Sequence, residues 1–96
     1  MSVEYAIREK LTKAFAPSEL TVENESSKHA GHSGARDHLG RVTGETHFRV
    51  TVISSQFEGQ SRVERHRRIN AILREELAGP VHALAIKALT PAEVAH

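Results

Sequence analysis

Histidine is where this sequence could do metal or acid–base chemistry. Seven histidines occur in 96 residues and cysteine does not occur at all. The lack of thiols excludes disulfides, thiolate nucleophiles and all-cysteine metal sites, so any soft-metal chemistry has to rest on imidazole. Three of the seven, His29, His32 and His38, fall in one glycine-rich stretch. His29 and His32 form a bare His-x-x-His, a spacing too common to specify a metal by itself. A second concentration of functional groups is "RVERHRR", which sets Arg62, Arg65, Arg67 and Arg68 around His66. Several cations in the first turns of a helix oppose its dipole by a few tenths of a kcal/mol each. That arrangement points to an anionic partner, either phosphate or an acidic protein surface.

The elements that position these groups follow from periodicity. In "SVEYAIREKLTKAFAP", Val3, Ile7, Leu11 and Phe15 recur every four residues behind a Ser2 N-cap, and Pro17 ends the helix. Glu9 and Lys13 are spaced as an i, i+4 pair on its polar side. "LTVENES" and "THFRVTVIS" alternate as half-buried strands, with Phe48, Val50 and Val52 on one face of the second. The joining segment, residues 27–44, holds four glycines and little apolar content, and is read as a loop long enough to be functional.

Ser61 and Glu64 form a capping-box pattern that opens the next helix. That helix is expected to run to Gly79 as a left-handed C′ residue, with Pro80 beyond it. "VHALAIKAL" reads as a third strand, and "TPAEVA" as a short helix opened by Thr90 with Pro91 at its first position. The order is α-β-β-α-β-α, an α+β domain spanning 1–96. Turning the second long helix by about 100° per residue puts Val63, His66, Ile69, Leu73 and Leu77 on the core side. The arginines then scatter over both flanks, with Glu64, Glu75 and Glu76 interspersed. A DNA-recognition helix needs its basic side chains converging on one groove.

Composition sets the outer limits. Lys and Arg number 13 against 12 Asp and Glu, so a basic surface has to be local. No stretch has the length and apolarity of a membrane span, and the N-terminus lacks signal-peptide order, so a cytoplasmic protein is expected. No glycine-rich phosphate loop and no paired carboxylates stand out, and an enzyme is not expected.

With these segments placed, the chain resembles the BolA family from end to end. "VENES" at 22–26, "ETHFRV" at 45–50, "FEGQSRVERHR" at 57–67 and "ELAGPVHALAI" at 76–86 carry the resemblance. It implies a three-stranded mixed sheet with helices on one face, like the class II K-homology domain. The Gly-x-x-Gly loop that clamps nucleic acid in those domains is missing here. The resemblance also implies pairing with a monothiol glutaredoxin and a shared [2Fe-2S] cluster. This chain would contribute His82 of the Val-His-Ala-Leu motif and His29 of the loop, with His32 and His38 as alternates.

A cysteine-free chain cannot hold such a cluster alone, so the remaining ligands would come from the glutaredoxin and glutathione. His66 is read as structural or as support behind the ligands, and the free protein as a monomer or weak dimer. The alternative is a DNA-binding transcriptional regulator of the stress type. In that reading Arg62, Arg65, Arg67, Arg68 and Lys87 contact phosphates.

Overall fold

The computed structural model describes residues 2–25 and 46–94. The segment 26–45, which carries His29, His32 and His38, lies outside the described residues, as does His96. The described order is α1 (Val3–Phe15), β1 (Glu19–Asn24), β2 (His47–Ile53), α2 (Arg62–Ile72), α3 (Arg74–Ala78), β3 (Ala83–Leu89) and α4 (Pro91–Val94). A 3-10 turn, Ser55–Phe57, leads out of β2.

The strands form one sheet in the order β1-β2-β3, antiparallel between β1 and β2 and parallel between β2 and β3. Val22 pairs with Val50, and Val50 with Ile86, so one apolar row crosses all three strands. The helices cover that face. Ile7, Leu11 and Phe15 of α1, with Ile69 and Leu73, pack into one core with Val22, Phe48, Val50 and Val52. On the opposite face Thr21, Glu23, Arg49 and Lys87 are exposed.

The helix starts follow the sequence. Ser2 Oγ accepts from the Tyr5 amide, and Ser61 and Glu64 exchange both bonds of a capping box at 3.1 and 2.9 Å. Thr90 and Glu93 form a second such box at α4, which the Thr-Pro-Ala-Glu spacing already encodes. Glu9 departs from its expected pairing with Lys13 and accepts from the Tyr5 hydroxyl at 2.8 Å.

Three expectations are corrected. The expected single helix to Gly79 breaks at Leu73, whose ψ of 19° leaves the helical range, and α3 follows at once. Leu73 is fully buried, as a continuous helix would also have placed it, and it keeps helical bonds on both sides, its amide to Ile69 O and its carbonyl to the Leu77 amide. Gly79 has φ −109° and is not left-handed. Among the described residues the non-glycine residue in that region is Ala16, at φ 42°, where α1 ends with its amide on Thr12 O. Finally, β3 begins at Ala83 rather than Val81. The Gly79–Pro80 turn returns the Val81 amide to Glu76 O at 3.0 Å and buries the Val81 side chain.

The core-facing side of α2 is also rotated from the expected one. Val63 is 58% exposed, while Arg65 is only 6% exposed and packs inward with Ile69. Hydropathy alone favours the valine. The arginine wins because its guanidinium lies 5.9 Å over the Phe57 ring and finds three acceptors.

Candidate metal centre

His82 stands immediately before β3, between buried Val81 and the first residue of the strand, and is exposed. Its backbone is held firmly. Thr46 O accepts from the His82 amide at 2.8 Å and from the Ala83 amide at 3.2 Å. With Val81 anchored in the core on one side and the parallel ladder beginning on the other, the imidazole sits on a fixed stalk at the sheet's end.

Both ends of the histidine-bearing segment open at that same end of the sheet. Residue 25 is tied to β2 by its amide, which donates to His47 O at 2.8 Å. Thr46, on the far side of the segment, is the residue that holds His82. Arg49 Nε pairs with Glu25 Oε2 at 3.2 Å and braces the same corner. His47 pairs in register with Ala83 and shares a 2.9 Å hydrogen bond between its Nδ1 and Thr46 Oγ1.

The donor chemistry suits a half-site. Among the described residues no group of three or more His, Asp or Glu could hold a metal ion. The chain has no thiolate to offer. What the described residues supply is one exposed imidazole on a rigid support. Thr46 and Val81, which set its position, carry no sequence signal of that role, because the relation exists only across the β2–β3 pairing.

The arginine segment divides into separate jobs. Arg65 donates to Gln60 O at 3.0 Å, Ala88 O at 3.0 Å and Glu93 Oε1 at 2.6 Å. That hydrogen bond, with the Thr90 amide, holds the Glu93 carboxyl down to about 2, well below the usual carboxylate value. Arg68 donates to Gln56 O and Gln60 Oε1 and lies 4.9 Å over the Phe15 ring. These two were expected on a partner-facing surface and instead fasten α2 to the core and to α4.

Arg67 is exposed. Arg62, His66 and Lys87 line a cavity of about 200 Å³ between α2 and β3, floored by Ile86, Ala88 and Leu89. His66 is thus half-buried at the seam rather than in the core. The structure brings Arg62, His66 and Lys87 together, and it does not bring His66 to His82.

A family model described as BolA-like protein matches residues 11–93. The chain is 56% identical over 91 residues to BolA-like protein 1 of Pongo abelii, covering 95% of this chain and 60% of that protein. It therefore spans about three fifths of that relative's length. It is 38% identical to the DNA-binding transcriptional regulator BolA of Haemophilus influenzae, covering 97% of this chain and 82% of that one. Among solved structures, the BolA domain of SufE1 from Arabidopsis thaliana superposes with a TM-score of 0.80 at 46% identity. The superposition covers 97% of this chain and 96% of that one.

Proposed function

The chain belongs to the BolA family, and on that premise we propose that it is a non-enzymatic adaptor. It docks on a monothiol glutaredoxin in the cytoplasm and co-ligates or receives a [2Fe-2S] cluster, in iron–sulfur trafficking or iron regulation. One observation carries this reading: exposed His82 is fixed by Thr46 O where both ends of the histidine-bearing segment meet. His82 is one ligand and His29 the second, with His32 and His38 as alternates.

His29 lies four positions after Glu25, a chain length that reaches at most about 14 Å. A [2Fe-2S] cluster supplies one-electron redox chemistry, and imidazole ligation of one iron raises its potential. The thiolates come from the glutaredoxin and glutathione, since this chain has none. A lone exposed imidazole on a rigid stalk is what an interfacial ligand needs, because a buried one could not meet a partner.

The fold is proposed to be of the class II K-homology kind. The junction between α2 and α3 is Leu73 alone, and no Gly-x-x-Gly stands there to clamp a phosphate backbone. That weighs against the competing reading, direct DNA binding by Arg62, Arg65, Arg67, Arg68 and Lys87. Two of those five are bonded inward, which leaves Arg62, Arg67 and Lys87 for phosphate.

Visible absorption and circular dichroism of a [2Fe-2S]-loaded monothiol glutaredoxin with glutathione, titrated with this protein, test the adaptor reading. The cluster spectrum should change at one equivalent, keep its wild-type form with Arg67→Ala and lose the change with His82→Ala. An unchanged spectrum with unsubstituted protein would rule out co-ligation.

A further inference from the structure

We propose that the open edge of β3, together with the α2–β3 cavity, is a docking site for an extended acidic peptide segment of a partner, bound by strand addition. Two independent observations meet there. The first is the free edge. Ala83 donates to Thr46 O and Leu89 O accepts from Ser54, so in the parallel ladder the odd-numbered peptide groups of β3 turn toward β2. Those of Leu84, Ile86 and Ala88 therefore turn outward. Arg65 already occupies the Ala88 carbonyl. Leu84 and Ile86 keep unpaired backbone groups among the described residues, which is the template that an added strand uses.

The second observation is the cavity beside those groups. Arg62 and His66 of α2 flank an apolar floor of Ile86, Ala88 and Leu89, Lys87 borders it at the strand edge from the other face of the sheet, and no acidic residue lines it. Elsewhere Arg8, Lys10, Arg49 and Arg65 each hold a carboxylate. Among the described residues these three basic groups hold none. A volume of about 200 Å³ is below the 300 Å³ or more usual for a small-molecule pocket and suits one or two side chains.

An apolar floor under a cationic rim fits a glutamate, whose methylenes cover the floor while its carboxylate meets the rim, and an extended peptide presents such a side chain to one face at every second position. The other free edge, β1, carries exposed Glu19 and Glu23 and would repel the same segment. A phosphate backbone is a poorer match, because Arg65 and Arg68 are turned away and Glu64 is exposed on the same helix. The site lies toward the opposite end of β3 from His82, and the proposal does not depend on cluster binding.

The test uses the full chain, isotope-labelled, with a blocked seven-residue peptide alternating valine and glutamate, followed by amide NMR shifts. Saturable shifts should centre on Leu84, Ile86, Arg62 and His66, and the Ile86 amide should gain exchange protection. Replacing the peptide's glutamates by glutamine, or changing Arg62→Gln or Lys87→Gln in the protein, should weaken binding about tenfold. Ile86→Pro should abolish it, and the two glutamine variants serve if that one fails to fold. Several results would overturn the proposal: no saturable shift, equal binding of the glutamine peptide, or shifts centred on β1 or on Arg67 and Arg74. Tighter binding of a single-stranded oligonucleotide at the same residues would assign the surface to nucleic acid and overturn it as well.

Discussion

Arg65 holds more of this molecule together than its place in an arginine-rich stretch suggests. Its guanidinium satisfies two backbone carbonyls and the Glu93 carboxylate from a nearly solvent-free position. Removing one partner of a buried charged network leaves the others unpaired and is strongly destabilising. Arg65→Ala should therefore lower stability by about 3 kcal/mol, while exposed Arg67→Ala should change it by less than about 0.5 kcal/mol, as read from denaturant midpoints. Glu93 gives the same contact a pH signature. Its folded-state pKa, about 2, lies below the ordinary value of 4.5, so its stabilisation is complete above about pH 5 and is lost as pH falls towards 2. Glu93→Gln should unfold at a lower temperature than wild type at pH 7, and the two melting curves should converge near pH 2. Sequence reading at this scale recognises a cluster of cations, but which of them turns inward depends on acceptors 5 to 28 residues away.

Element boundaries were the most legible part of the chain where they are marked locally. Ser2, Ser61 and Thr90 open their helices through bonds to amides three residues on, which a short window of sequence contains. Ser61→Ala should cost about 1 kcal/mol, measurable as a shifted thermal midpoint, and should remove only the hydroxyl's share of the depression of the Glu64 carboxyl, the larger share from the Ser61 amide remaining. The ends of elements were less legible. The late start of β3 follows from burying Val81, and burial is a property of the assembled core; the break at Leu73 has no marker in the local sequence. The Gly79 expectation failed for a related reason: the Val81 amide, not a left-handed glycine, satisfies Glu76 O beside the Gly79 amide.

At the scale of the whole molecule, the mixed sheet puts the two proposed sites toward opposite ends of β3. His82 precedes β3, and the cavity of Arg62, His66 and Lys87 lies beside the strand's later residues. The internal bonding of Arg65 and Arg68 also bounds any interaction with duplex DNA. With Arg62, Arg67 and Lys87 remaining, the log–log salt slope should not exceed about −3, and Arg62→Ala or Arg67→Ala should each reduce it by about 0.9. A filter-binding or fluorescence titration across salt concentrations reads this directly. A slope much steeper than that would mean the inward bonds open on binding.

Local sequence determined the helix starts, the alternating strands, the absence of thiol chemistry and the histidines as the available ligands, because each depends on residue type and spacing within about a dozen positions. Tertiary structure alone decided that Thr46 O holds His82, that Arg65 rather than Val63 enters the core, and that Arg62, His66 and Lys87 share a cavity. Those relations join residues 21 to 36 positions apart or depend on a buried acceptor, and only the pairing of β2 with β3 and the seating of α2 on the sheet bring the partners together.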